Sequence, residues 1–496
     1  MPASIVTGPL LGLESDALYT VCFTTAKSVN QASVTANGHS VMAIAAGETC
    51  NHRFWRAEIP VAPGIHALAV RYRVLLDGSL ARDYNNRDEW QFYVPAHGEK
   101  PKILYASCNG FSSADLANKT EHPYALWQKL KEEHASAPYA LMIMGGDQLY
   151  ADEMWSTVPT LKEWSKLPRK DKVKRQVSKP MLQQIDRFYD GLYQQRWNDP
   201  VMSEMLASIP NIMMWDDHDI FDGWGSYPED LQNCPVFKAI YASARQYFEW
   251  LQMRSRRNTS LLNRDAAHFA FALQFRGYHI LALDNRAERT LQQVMSRQQW
   301  DDVLRHLDSK VFQGDLLLLS AVPVVYRDFS FTESALDATP WDEELTDDLK
   351  DHWRAKEHQG ERARLIMRLL DNVGKRQQQG NARTVILSGD VHIGCLGVIN
   401  DRRDAQRARK IHQVVSSGIV HPAPSRIAWY GIMAVTNDKT EHLNEDKSIE
   451  IAMLKPYSSD QYLRTRNYVS LQEGSDRKLW LNWICESKDK PVYPLD

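Results

Sequence analysis

The stretch YALMIMGGDQLY, residues 139–150, sets the reading of the chain. An apolar run from Tyr139 to Met144 ends in Gly145-Gly146-Asp147, and Tyr150 lies three residues further on. A short, nearly continuous apolar run suits a strand buried on both faces, as in a sheet covered by other layers. Similar runs recur at Ile103 to Ala106, Ile212 to Trp215, His279 to Leu283, Leu316 to Leu319 and Thr384 to Leu387. Long helical or irregular stretches separate them. The segment Glu361 to Lys375 places Leu365, Ile366, Leu369 and Leu370 on one helical face, with Gly374 and Lys375 as a stop.

The residues just beyond each run carry the chemistry. The ends read Ser107-Cys108-Asn109, Gly145-Gly146-Asp147, Asp216-Asp217-His218-Asp219, Asp284-Asn285-Arg286 and Ser388-Gly389-Asp390-Val391-His392. In open α/β sheets ligands sit beyond the carboxyl ends of the strands. Carboxylates, histidines and a thiol converging there are electrostatically prohibitive unless a cation neutralises them. Asp147, Asp217 and Asp390 are hard oxygen donors of the kind that suits Ca2+, Mg2+ or Mn2+. Cys108, His392 and a Tyr150 phenolate make a softer set suited to a transition metal such as iron, and Asp147 is placed to bridge the two. A pair of ions about 3.5–4 Å apart is the arrangement used in phosphoester hydrolysis.

The ordered motifs YASCNG (105–110), GDQLY (146–150), WDDHD (215–219), LDNRAER (283–289) and LSGDVH (387–392), with RTRNYVSL (464–471) as a softer match, resemble the PhoD-like branch of the calcineurin-like metallophosphoesterases. The resemblance covers most of residues 102–485. It implies an α/β (α+β) fold: a four-layer β-sandwich flanked by helices, with a small N-terminal β-sandwich domain. It implies Fe3+ held by Cys108, Asp147, Tyr150 and His392, and a neighbouring Ca2+ at Asp147, Asp217 and Asp390. Mn2+, Mg2+ and Zn2+ are the alternatives for the second ion. His218 falls where the family's active-site histidine lies beside the leaving group. The implied activity is hydrolysis of phosphomonoesters, phosphodiesters or both by metal-bound hydroxide. Three blocks depart from the wider superfamily: Ser107-Cys108-Asn109 replaces an Asp-x-His, Asp216-Asp217-His218 replaces a Gly-Asn-His, and the last reads Gly389-Asp390-Val391-His392. No histidine stands near Leu316 to Val322, where many relatives supply one.

Several residues keep two readings. Arg286 either contacts substrate phosphate or forms a structural salt bridge. Asp219 either caps a turn or orients His218. The loop Phe221 to Gly225 is a pocket wall or a packing corner. Cys395, His279, His412 and His421 read as core or surface residues. The competing function is a non-catalytic module in which a metal knot stabilises a glycan- or protein-binding domain. Open metal sites favour the enzyme, because structural sites are usually coordinatively closed. Iron redox chemistry lacks the two-His-one-carboxylate spacing.

At 496 residues, length alone suggests about three domains. The chain reads instead as two: residues 1–98 and 99–496, with the linker-like AHGEKP (96–101) between them. In the first, Leu68 to Val74 and Trp90 to Val94 alternate as strands, Asp77-Gly78 marks a hairpin, and Phe54 to Ile59 supplies another strand. Strands resume at Tyr462 to Leu471 and Lys478 to Cys485, either side of Glu473-Gly474-Ser475. The polar stretches 156–195 and 328–360 read as insertions whose charge runs are solvated faces.

With 59 basic against 62 acidic side chains, no broad nucleic-acid or anionic-membrane surface is expected, and 49 aromatic residues exclude large-scale disorder. The longest apolar stretch, Leu316 to Tyr326, is too short to span a bilayer. Six cysteines without a CxxC, and no signal peptide in the first 20 residues, predict a reduced cytoplasmic protein.

Overall fold

The computed structural model describes residues 4–309, 314–328, 352–378, 382–455 and 461–496. The expected buried strands form in two large sheets. The first sheet has the strand order Val492–Leu495, Leu479–Cys485, Asn467–Glu473, Ile103–Ala106, Leu141–Gly145, Asn211–Met214, Thr7–Ser15, Leu18–Ala26, His52–Pro60, Ile44–Glu48. The second runs Phe271–Phe275, Tyr278–Ala282, Asp315–Leu319, Thr384–Ser388, Arg409–Ser416, Gly394–Asp401, Ile449–Met453, Glu441–His442, and Tyr462–Leu463 pairs off this path with Gly394–Asp401. Each sheet has a parallel centre. In the first it is made by the strands ending at Ala106, Gly145 and Met214. In the second it is made by those ending at Ala282, Leu319, Ser388 and Ser416. Parallel strands deliver their carboxyl ends to one edge, so the motif-bearing run ends are lined up together.

Successive strand residues face opposite layers, and the core records this. Leu317, Leu319, Val385, Leu387 and Val414 join Met142 and Met144 in a cluster between the sheets. Leu316, Leu318, Ile386 and Ile411 instead meet Leu365, Ile366, Leu369 and Leu370 of the helix Gln359–Gln377 and Val303 and Leu307 of the helix Arg297–Leu307. The helices Ala125–Ser136 and Pro200–Ser208 bury Leu126, Trp127, Leu130, Met202, Met205 and Leu206 on the side of the first sheet. The mixed α/β layering expected from the sequence is therefore observed. Truncating Leu387, which is fully buried, to alanine removes about 2–5 kcal/mol of stability.

The N-terminal strands divide between sheets. Thr7–Ser15 pairs in parallel with Asn211–Met214, so the first sheet crosses position 98. Ala32–Ala36, His39–Met42, Leu68–Leu76, Ser79–Leu80 and Trp90–Val94 form a separate five-stranded sheet. The hairpin at Asp77-Gly78 has φ of 46° and 81°, the positive pair that a tight hairpin turn requires. The stretch 156–195 is largely helical, whereas 329–351 of the second expected insertion lie outside the described residues.

Candidate metal centre

The donors sit two to five residues beyond strand ends, where the chain turns sharply. Cys108, Asp147, Asp390 and His392 have φ of 55°, 54°, 69° and 53°. Left-handed backbone costs a non-glycine residue of order 1–3 kcal/mol and persists only where the surroundings impose it. Here they do. The Cys108 N–H donates to Gly146 O at 3.1 Å, and Asn109 N–H donates to Asp147 O at 2.8 Å. His392 N–H donates to Ser417 Oγ at 2.8 Å. Gly146, at φ 111°, lies so close to Asp216 that a Cβ would fall 2.9 Å from the aspartate's Cβ. A Cβ on Gly110 would meet the Tyr150 ring at 2.4 Å, so that glycine makes room for the phenol.

Three donor groups overlap in a chain, the first two sharing Asp147 and the last two Asp217. Ligand atoms of Cys108, Asp147 and His392 all lie within 4.8 Å of one another. Tyr150 joins them, its Oη 3.1 Å from His392 Nε2. Cys108 Sγ is 3.4 Å from Asp147 Oδ2 and 3.0 Å from Ser417 Oγ. The same 4.8 Å limit gathers Asp147, Asp217 and His218, and also Asp216, Asp217 and Asp390. Six of the eight sequence-derived residues are thus brought together by their donor atoms, and Tyr150 by its hydrogen bond.

The eighth, Arg286, is fully buried behind the carboxylates. Its Nε pairs with Asp216, its Nη2 lies 3.3 Å from Asp217 Oδ1, and its Nη1 donates to Trp224 O at 3.2 Å. This is the salt-bridge arrangement. The loop Phe221 to Gly225 packs as a corner, Trp224 stacking on Tyr241 at 4.9 Å, and it also serves the site, since Gly223 N–H donates to Asp217 Oδ2 at 2.8 Å. Asp219 caps: it accepts from the N–H groups of Asp216, Gln148 and Leu149.

The group that orients His218 is Asp152, whose Oδ2 lies 2.7 Å from His218 Nδ1 while its Oδ1 accepts from Asp222 N–H at 2.8 Å. Sequence reasoning missed it, because it lies beyond the GDQLY block. His421 was also missed. Its ring stacks on His392 at 3.6 Å and on Tyr150 at 5.4 Å, and its backbone N–H donates to Cys108 O at 3.1 Å. Tyr150 in turn stacks on His218 at 4.2 Å. The signal for His421 and Ser417 was available: both come just after the apolar strand Arg409–Ser416, a run end like the others.

Left to protons alone, the centre drives most of its groups toward neutrality. Burial pushes the Cys108 thiol and the Tyr150 phenol well up, and neighbouring Asp147 adds to both. Asp147 is raised well above the carboxylate range by burial, then by Asp216 and Asp217. Burial holds His392 well below the usual imidazole range, helped by His421 and His218. His218 moves the other way. Burial disfavours its charge, but Asp152, Asp217 and Asp147 together outweigh this and raise it well above the ordinary value.

A cation resolves the conflict by favouring the ionised form of each acidic ligand. Asp147 Oδ1 is buried and lacks a hydrogen-bond partner among the described residues, a desolvation cost of about 1–3 kcal/mol that a bound cation offsets. The thiol, phenol, imidazole and carboxylate on one side and the all-carboxylate set on the other fit a transition metal and a hard divalent ion respectively.

The chain is similar to several known proteins. A family model described as PhoD related phosphatase matches residues 87–341 and 338–447. The uncharacterized protein YGR266W of Saccharomyces cerevisiae is 26% identical over 456 residues, which cover 75% of this chain and 63% of that protein. The chain thus spans under two thirds of the length of this curated relative. Among solved structures, one titled "Structure of PhoD" is similar with a TM-score of 0.59 at 15% identity, covering 99% of this chain and 89% of that one. The purple acid phosphatase PPD1 from yellow lupin (Lupinus luteus) seeds is similar with a TM-score of 0.51 at 11% identity, covering 99% and 74%. At these identities the likeness is one of fold.

Proposed function

Because this chain belongs to the PhoD related phosphatases, we propose that it hydrolyses phosphate esters at a two-cation centre. Cys108, Asp147, Tyr150 and His392 hold one ion, Fe3+ in this reading, and Asp147, Asp217 and Asp390 hold the other, Ca2+ before Mn2+, Mg2+ or Zn2+. The observation that supports it most is the position of Asp147, whose carboxylate groups with Cys108 and His392 on one side and with Asp217 and His218 on the other, and keeps one buried oxygen without a hydrogen bond among the described residues. Such an ion pair supplies charge neutralisation at the phosphoryl oxygens and activation of water.

The protein's own groups do the rest. His218, kept protonated by Asp152, donates its proton to the leaving oxygen. Arg286 holds Asp216 and Asp217 in place from behind, and Gly223 N–H fixes the second Asp217 oxygen. Phosphomonoesters, phosphodiesters or both are the substrates in this reading. A purely structural metal knot uses neither a charged His218 nor its Asp152 partner. A cytoplasmic site of action belongs to the same proposal, supported by six cysteines that are all unpaired.

The test is hydrolysis of p-nitrophenyl phosphate and its bis-ester by native-purified protein, beside Asp147→Asn and His392→Ala. Turnover that collapses in both variants is expected. A fully metallated wild type with no turnover of either ester, or an Asp147→Asn enzyme equal to wild type, overturns the reading.

A further inference from the structure

Two surface features flank the edge that carries the metal centre, and neither contributes to it. The first is the helix Arg426–Val435, which begins five residues after His421. Its buried Trp429 packs with Tyr326, Ile393, Cys395 and Val415, next to the His392 turn. Its other side exposes large apolar groups: Ile427 at 86%, Tyr430 at 72% and Met433 at 38%. Residues 421–437 contain no Asp or Glu. A contiguous exposed apolar patch of this kind marks an interaction surface.

The second feature is the lobe spanning 162–179, with eight Lys or Arg against two acidic residues in a chain whose formal charge is −3. Seven of the eight are exposed, and Lys172 lies over the Trp164 ring at 5.4 Å. Arg169 pairs with Asp230, and the other exposed cations of the lobe face solvent. The lobe is tied to the centre through aromatic contacts. Trp164 stacks on Trp155 at 5.7 Å, Trp155 meets Phe221 at 5.2 Å, and Asp152 lies three residues before Trp155. Both features leave the carboxyl ends of central strands, Gly145 for the lobe and Ser416 for the helix.

A nucleic acid engages a basic lobe but has no use for an apolar helix face. An anionic lipid surface uses both, taking apolar side chains at the acyl boundary and Lys and Arg at the headgroups. No helix among the described residues is long and apolar enough to cross a membrane. We propose that the chain docks on anionic bilayers through the apolar face of helix 426–435 together with the basic lobe 162–179. The solvated-face reading of the charge run at 156–195 is then incomplete. Docking stands apart from hydrolysis, since either can fail while the other remains.

The experiment is flotation of the full chain with vesicles of phosphatidylcholine alone and of phosphatidylcholine with a quarter phosphatidylserine. Two variant sets are carried alongside, Ile427→Ser with Tyr430→Ser, and Lys166→Glu with Lys170→Glu and Lys174→Glu. All five positions are exposed, so thermal unfolding and soluble-ester turnover stay at wild-type level. The expected result is binding to the anionic vesicles, about tenfold or more weaker on neutral ones, and about tenfold or more weaker in each variant set. No binding to anionic vesicles overturns the proposal, as does unchanged binding in either set. Two further results overturn it in favour of another occupant. One is a dimer in light scattering that the helix variant dissociates while vesicle binding persists. The other is capture of single-stranded RNA by the lobe with vesicles ignored.

Discussion

On one side of Asp147 stand Cys108, Tyr150 and His392, packed among the rings of His218 and His421 and the hydroxyl of Ser417. On the other stand Asp216, Asp217 and Asp390, with the Arg286 guanidinium against the first two. The first group meets the cost of burial by neutralisation: thiol and phenol keep their protons, and the imidazole gives its up. The second has a built-in counter-cation. An all-carboxylate cluster with a fixed guanidinium is preorganised before any metal arrives. A cluster of neutral soft donors must lose protons as the metal enters, so its affinity depends on pH. The two halves share Asp147 but should answer differently to the same perturbation.

The largest effect is expected where the halves meet. Asp147→Asn removes the shared carboxylate and should lower kcat/KM by more than about a hundredfold, the upper end of what losing a mere supporting partner costs. Steady-state kinetics with both nitrophenyl esters measure it, and a loss confined to one metal would separate the halves. Arg286→Met strikes only the carboxylate half. It leaves Asp216 and Asp217 without their buried partner and should cost about 3–5 kcal/mol in denaturant unfolding. Added divalent cation should restore part of that loss, because the ion replaces the missing charge. Stability unaffected by Arg286→Met would remove the contrast between the halves.

Cys108→Ser strikes only the soft half. The variant should lose iron at least about tenfold, together with the visible charge-transfer band that a Tyr150 phenolate on Fe3+ would give, while retaining the hard divalent ion. Absorption spectra and elemental content of the same sample check it. The smallest effect belongs to Asp152→Asn, beside neither metal. His218 has a raised folded-state pKa and acts protonated, so activity is lost as pH rises through that value. Without Asp152 the value falls, and the alkaline limb of kcat should move to lower pH with a drop of about tenfold at neutral pH. A profile superimposable on wild type contradicts the assignment.

Much of the layering was legible because strands buried on both faces leave a local signature. The run Ile103 to Ala106 coincides with its strand, and the others start or end within two residues of theirs. Donor residues were legible for a related reason: the rule that ligands lie past strand ends converts a hydrophobicity pattern into a set of candidates. The pairing of Thr7–Ser15 with Asn211–Met214 was not legible, since nothing local to residue 12 encodes a partner at 211. Asp152 and His421 escaped because their roles come from side-chain approach across the cleft, 66 positions from His218 for the one and 29 from His392 for the other. Arg286 showed its charge in the sequence but not its burial, and burial against two carboxylates is what makes it a brace.

The central claim is that one carboxylate, Asp147, serves two cations. Elemental analysis of native-purified wild type beside Asp147→Asn tests it most directly. The account predicts two metal equivalents per wild-type chain, one of them iron, and loss of both in the variant. A wild type that carries one metal, or a variant that keeps either ion at full occupancy, contradicts it.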